Sequence, residues 1–399
     1  MNELYENSKN GEEKIRILMP YFLAGSGHLV SSHAISHYIS KKKPAWDIRL
    51  LEPADEFQSK ELDDFFRRTW QVLLKNPKFA IFAFNLMTNL LPAIPIGVLA
   101  SITKKVMPTV RDYLLGYKPH FIVTTHWGTG HLFQAARQEY GIDIPLYLVR
   151  NDLGGAYQIQ NCEPDITFVM SEEARQAFID IGFSPDVVVH VNPLVRPQFV
   201  HGATNENQAR ASLGIPQSAF TVLLSAGGEG LGSIRGVAKG FLDEIEHRGI
   251  EARLIVITGR NTELQAQLER ELNDNRVLIQ GYREDMYIPM AAADIVVGKC
   301  GANYTMETLM LRKPFVVTQV GAPNEEFNKD FVINHRFGWF APTPNDFLSV
   351  LRRILDKPEE LAGFKQRLAK MPTKNGAEQI ADRVIGALTK SRIAVERIT

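Results

Sequence analysis

The feature that most constrains this chain is a repeated order of short apolar run, turn and helix-spaced run, present in the first half and begun again in the second. In the first half "KIRILMPYF" (14–22) is followed by a glycine turn, by "LVSSHAISHYISKK" with helical spacing, and by a second strand, "WDIRLLEP". Then come "HFIVTTH" (120–126), "HLFQAARQEYG", "PLYLVRND" (145–152), "ITFVMS" (166–171), "EEARQAFIDIG" and "VVVHVNP". Strands alternating with helices predict an α/β fold with a parallel sheet covered on both faces, and such sheets bind ligands beyond the carboxyl ends of their strands. A polar stretch, "RPQFVHGATNENQARASLGIPQSAF", interrupts the pattern near residue 200, after which "TVLLSAGGEG" restarts it. The 399 residues also exceed what a single core usually holds. The expected organisation is therefore a first α/β domain over 1–200, a second over 201–370, and helices over 371–399 that pack back on the first.

Lys+Arg and Asp+Glu balance at 45 each, which gives no general reason to expect a nucleic-acid partner. The only cysteines, Cys162 and Cys300, are far apart, and the polar start "MNELYENSKNGEEK" lacks the order of a secretory signal. The chain reads as cytoplasmic and free of disulfides. One segment departs from this picture. Residues 79–103, "FAIFAFNLMTNLLPAIPIGVLASIT", are nearly all apolar. Pro92 and Pro95 are expected to break a helix there, which argues against a bilayer span and leaves a buried core segment or a membrane-surface element. The flank "FFRRTWQVLLKNPK" mixes Arg67, Arg68, Lys75 and Lys78 with Phe65, Phe66, Trp70 and Leu73, which favours the surface element over 65–105.

Several turns carry residues suited to chemistry. In "AGSGH", Gly25 and Gly27 allow a ligand to approach the backbone at a helix start, and His28 sits at the first helical turn as a candidate base. A dinucleotide fingerprint would need a third glycine where Val30 stands, although Asp47 or Glu52 lies at the distance of its acidic partner. His33 and His37 are spaced to share a metal but lack the HExxH pattern, so no metal is assigned. "SAGGEGLGSIRG" (225–236) offers backbone N–H groups to a phosphate, and Arg260 in "TGRN" is either a phosphate partner or a surface ion pair. Glu307 in "GKCGANYTMETL" is expected near a first helical turn, as a ribose ligand or as a partner of the helix dipole. Asn324, Glu325 and Asn328 in "GAPNEEFNKDF" suit a hydroxyl-rich ligand or a capped helix start.

Together, GSGH, "VNPLVRPQF", "GGEGLG", "TGRN", "QGYREDM", "AADIVVGKCGANYTMETLMLRKP" and "GAPNEEFN" resemble the family 28 glycosyltransferases. These make monogalactosyl- or glucosyl-diacylglycerol, or add N-acetylglucosamine to the undecaprenyl-linked peptidoglycan precursor. The resemblance covers about residues 15 to 345 and implies the GT-B fold, two facing Rossmann-like domains with a cleft between them. It implies a UDP-sugar as donor substrate, a membrane lipid as acceptor, most simply diacylglycerol, and no cofactor or metal. By that resemblance His28 is the general base, and Gly228, Glu229 and Gly230 line the diphosphate and sugar. Gly301, Ala302, Asn303 and Tyr304 cradle phosphate, although the family's turn usually reads glycine, proline, glycine, threonine. Tyr282, Arg283 and Met286 frame the uracil, Glu307 holds the ribose, and Asn324 and Glu325 contact the hexose, with Asn328 beside them. Gly27, His126 and Asp152 fall on the acceptor side. The enzyme is then expected on the inner face of the cell membrane, against an anionic lipid surface. A UDP-sugar 2-epimerase with the same two domains, or a non-catalytic nucleotide- or lipid-binding relative, are the alternatives.

Overall fold

The computed structural model describes residues 14–23, 25, 27–69, 82, 93–156, 162–201, 205–225 and 234–396. The first domain runs β1 (Arg16–Pro20), α1 (Gly27–Lys42), β2 (Asp47–Leu51), α2 (Ala93–Tyr117), β3 (Phe121–Thr124), α3 (Trp127–Tyr140), β4 (Leu146–Val149), β5 (Ile166–Val169), α4 (Glu172–Asp180) and β6 (Val188–His190). Its six strands are all parallel, in the order β2-β1-β3-β4-β5-β6. Every residue of β3 and β4 is buried, because helices cover both faces, and this is why these strands read as unbroken apolar runs. Helix starts follow side-chain caps: the Ser171 hydroxyl accepts the Ala174 N–H at 2.9 Å and opens α4.

The second domain runs β7 (Phe220–Ser225), α5 (Ile234–Arg248), β8 (Ala252–Ile257), α6 (Thr262–Glu271), β9 (Val277–Gln280), α7 (Tyr287–Ala292), β10 (Ile295–Lys299), α8 (Ala302–Met310), β11 (Phe315–Gln319), α9 (Glu325–Asn334), β12 (Gly338–Phe340), α10 (Pro344–Asp356), α11 (Pro358–Leu368) and α12 (Gly376–Glu396). Its sheet is again parallel and six-stranded, ordered β12-β11-β10-β7-β8-β9. Both halves are therefore doubly wound, Rossmann-like sheets. Helix α12 crosses back to α1, where Lys42 donates to Glu378 at 2.9 Å and to Asp382 at 2.5 Å. Asn375, just ahead of α12, donates to the Val195 carbonyl at 2.8 Å, and one apolar cluster includes Ile35, Tyr38, Phe199, Met290, Ile380 and Val384.

The apolar segment is partly visible. Residues 70–81 and 83–92 lie outside the described residues, and Phe82 is 65% exposed. The expected break at Pro92 and Pro95 lies partly outside the described residues; α2 starts at Ala93, so Pro95 falls in a first turn, where the missing N–H would have no intrahelical acceptor. Pro108 also lies inside α2. Leu99, Met107, Val110 and Leu114 of this helix are buried in a cluster with Leu18, Phe22 and Ile122 of the first domain. Arg67 and Arg68, which count towards the membrane-surface reading of the flank, have protein partners, as does Lys105. Arg67 pairs with Asp55 at 3.0 Å and Asp63 at 2.8 Å, Arg68 with Asp64 at 2.9 Å, and Lys105 with Glu61 at 3.2 Å. Among the described residues no helix is long and apolar enough to cross a membrane.

Strand order determines where the ligand cleft opens. In the first sheet the connections reverse direction at β1, so the crevice lies beyond the ends of β1 and β3; in the second it lies beyond β7 and β10. The segments leaving β1 and β10 meet: the Asn303 Nδ2 donates to the Gly27 carbonyl at 3.1 Å.

Candidate active site

His28 stands in the first turn of α1, one residue after Gly27, and its ring is partly accessible. Its Nδ1 lies 2.6 Å from the Thr125 carbonyl at the end of β3. A carbonyl oxygen can only accept, so Nδ1 carries the proton and Nε2 keeps a lone pair. Thr125 grips the same residue a second way, its hydroxyl donating to the His28 carbonyl at 3.0 Å. Burial, and then the Arg150 charge, push the imidazole down to about 4, against the opposing effect of the Thr125 hydrogen bond. At neutral pH the ring is a neutral imidazole with an unprotonated Nε2, the form a general base requires.

His126 packs edge-on against it, ring centroids 4.6 Å apart. It caps α3: its Nδ1 accepts the Gly128 N–H at 2.9 Å, which leaves the proton on Nε2. Burial, followed by the nearby His28 and Arg150, holds it well below the usual histidine range. The two rings thus have opposite tautomers, one presenting an acceptor and the other a donor.

Across the cleft, Gly301 precedes α8, and Ala302, Asn303 and Tyr304 form its first turn, with backbone N–H groups free of intrahelical acceptors. The Tyr304 ring packs edge-on to Phe315 at 5.7 Å, and burial raises its hydroxyl while a hydrogen bond with Ser225 opposes the rise. Glu307 falls in the second turn of α8 and not the first, because the helix opens at Ala302. It is buried, and both its oxygens are occupied by Arg196, Nε to Oε1 at 2.6 Å and Nη2 to Oε2 at 3.0 Å. Arg196 also donates to the Glu284 carbonyl at 3.2 Å. Two N–H groups on two oxygens fit a carboxylate; burial raises the Glu307 carboxyl, and Arg196 opposes that rise.

At the ends of β10 and β11, Glu325 accepts from Lys299 at 2.6 Å and from the Gly321 N–H at 2.6 Å. Asn324 and Asn328 reach the first domain: the Asn324 amide donates to Asp152 at 2.7 Å, and the Asn328 Oδ1 accepts the Leu153 N–H at 2.9 Å. Burial raises the Asp152 carboxyl, with Arg150 and Asn324 pulling it back. The loop after β4 is close enough to α9 that a Cβ on Gly155, whose φ is +68°, would lie 2.2 Å from the Phe327 ring. Arg260 is exposed and lies over the exposed Tyr282 ring at 4.6 Å, an aromatic stack in place of the surface ion pair considered from sequence. Arg283 is held by Asp285 at 2.7 Å and 2.6 Å, and Met286 caps α7. Gly228, Glu229 and Gly230 lie outside the described residues.

His28, Gly27 and His126 are thus gathered at one crevice, with Asn303 reaching it from the other domain. Asp152 faces Asn324, while Glu307 is turned to Arg196. Thr125, Arg150, Arg196 and Lys299 are additions that sequence reasoning missed. Arg196 and Lys299 did leave a signal, since each falls inside a motif quoted for its neighbours, "VNPLVRPQF" and "GKCGAN".

The geometry can be set beside known proteins. Residues 221–335 match the glycosyltransferase family 28 C-terminal domain. The chain is 25% identical over 357 residues to monogalactosyldiacylglycerol synthase 2, chloroplastic, of Arabidopsis thaliana, covering 86% of this chain and 74% of that protein. The second domain therefore carries a glycosyltransferase family 28 C-terminal domain. Solved structures agree on the fold. A MurG from Acinetobacter baumannii superposes with a TM-score of 0.60 at 12% identity, covering 93% of this chain and 99% of that one. A UDP-GlcNAc 2-epimerase from Neisseria meningitidis, bound to UDP-GlcNAc, has a TM-score of 0.59 at 11% identity, covering 94% of this chain and all of that one (100%). Transferases and epimerases share this architecture, so the family 28 domain match and the synthase relatives decide in favour of a glycosyltransferase.

Proposed function

We propose that the protein transfers a hexose from a UDP-sugar to a hydroxyl of a membrane lipid, most simply diacylglycerol, without a metal. The observation that carries the reading is the His28 tautomer, with a lone pair on Nε2 in the crevice that the second domain closes. In this mechanism Nε2 takes the proton of the lipid hydroxyl as its oxygen attacks the anomeric carbon of the hexose. The bond to UDP breaks, and the charge that develops on its diphosphate is met by the N–H groups at the start of α8 and by Lys299. Tyr282, with Arg260 stacked on its ring, frames the base beside Arg283 and Met286, Glu307 takes the ribose once Arg196 shares it, and Asn324 and Glu325 read the hexose. The lipid acceptor rests on similarity to synthases whose names carry diacylglycerol. The exposed Phe82, within an apolar stretch of sequence, supports a protein held on the inner face of the cell membrane. Changing His28 to alanine tests this directly. Transfer should fall about 10²- to 10⁴-fold while UDP affinity stays within about twofold. Turnover at the wild-type rate would remove His28 from the mechanism. Interconversion of UDP-hexoses without acceptor would favour the epimerase reading, and binding with neither transfer nor interconversion would favour a non-catalytic relative.

A further inference from the structure

Asn303 carries an observation that phosphate cradling does not absorb. Its Nδ2 donates to the Gly27 carbonyl, which fixes the orientation of the amide, since a carbonyl cannot donate in return. Its Oδ1 is then an acceptor. That oxygen is buried, and among the described residues no donor reaches it. An unpaired buried acceptor is costly, and natural structures retain few of them. The usual ligand of a helix N-terminus cannot supply the missing partner, because phosphate oxygens at neutral pH accept and would be repelled by Oδ1. A hydroxyl can. The oxygen stands at the seam of the two domains, beside the residue that precedes His28, where the hexose and the attacking lipid meet in the proposed reaction.

We infer that the Asn303 side chain is a substrate-reading residue: with Nδ2 clamped to the Gly27 carbonyl, Oδ1 accepts a hydrogen bond from a hydroxyl of the reacting pair. This rests on the proposed transfer reaction and deepens it. It gives Asn303 two duties, holding the second domain against the His28 turn through Nδ2 and presenting an acceptor at the same seam through Oδ1. The hydroxyl comes from the donor hexose or from the lipid, and the two sources differ in what they disturb.

The test uses the full chain with Asn303→Leu, which keeps size and removes both polar atoms, and Asn303→Asp, which keeps the acceptor and loses the donor to Gly27. Calorimetry would compare UDP with UDP-glucose and UDP-galactose, and transfer to diacylglycerol in vesicles would give the lipid kinetics. In Asn303→Leu, UDP affinity should stay within twofold. If the hydroxyl is on the hexose, UDP-hexose affinity falls about tenfold, and the deoxy-sugar analogue lacking that hydroxyl binds wild type and variant alike. If it is on the lipid, donor affinity is unchanged and kcat/KM for diacylglycerol falls about tenfold. Asn303→Asp should retain more of the affected step than Asn303→Leu. Equal weakening of UDP and UDP-hexose, or no change in either binding or transfer, overturns the inference by making Asn303 a packing residue. A wild-type protein that binds UDP-hexose but never transfers it defeats the lipid source alone, whereas one that binds no UDP-hexose defeats the proposed function first.

Discussion

Replacing Arg196 with methionine should expose how the linker between the domains supports the nucleotide side of the cleft. The Glu307 side chain is 4% exposed and Arg196 24%, and among the described residues the guanidinium is the only cation paired with either carboxylate oxygen. Methionine fills similar space but leaves a buried carboxylate unpaired, a change that costs about 3 to 5 kcal/mol when both partners are enclosed. Partial exposure of Arg196 puts the expectation at the lower end, about 3 kcal/mol, or a fall of roughly 6 to 12 °C in the melting of a domain this size. The sign with pH follows from burial. A carboxyl whose folded pKa is raised destabilises the fold only where it is ionised, so the loss should be full at pH 7 and shrink towards pH 5 as Glu307 takes up a proton. Adding Glu307→Gln to Arg196→Met should restore most of the midpoint, because the abandoned charge is gone. Thermal unfolding followed by circular dichroism at the two pH values reads all of this. A fall of under 2 °C that is the same at both pH values, with no rescue by the double variant, would refute the reasoning.

Three further outcomes follow from the same geometry. With His28 held near 4 by burial and Arg150, its working neutral form persists below the usual histidine range, so kcat/KM should fall along an acid limb centred near pH 4; a limb centred near 6.5 would mean a solvated ring. Glu307→Ala should weaken UDP and UDP-sugar alike by roughly 1.5 to 3 kcal/mol in calorimetry, and unchanged UDP affinity would leave Glu307 as the partner of Arg196 only. Flotation with anionic vesicles should show binding that weakens with salt and weakens further in Phe82→Ser; wild type remaining in the aqueous fraction at every ionic strength would exclude the membrane-surface element.

The sheets were legible because strands buried on both faces leave continuous apolar runs such as "FIVT" and "LYLV", and the turns because glycines punctuate strand ends. His28 could be found for the same reason, since a strand, a glycine turn and a helix start locate it without long-range knowledge. Its tautomer could not. Thr125 is 97 positions away, and only the folded sheet brings its carbonyl to Nδ1. Arg196 and Glu307 are 111 apart and lie in motifs that each suggest something else, a linker and a ribose ligand. The cations of 65–69 illustrate the opposite failure: read along the chain they look like a lipid-facing patch, but the acidic residues that neutralise them, Asp55, Asp63 and Asp64, lie within a short stretch just upstream. Pro95 is tolerated in α2 because that helix begins at Ala93, which leaves the proline in the first turn.

The central claim is tested most directly by incubating wild-type protein with a panel of labelled UDP-hexoses and diacylglycerol-containing anionic vesicles, in the presence of EDTA, and extracting the lipid phase. The account predicts label in a hexosyl lipid, for one sugar above the others, with UDP released in equal amount and no loss on chelation. Label that stays in the aqueous phase, as an epimerised UDP-sugar or as unchanged donor, would contradict it.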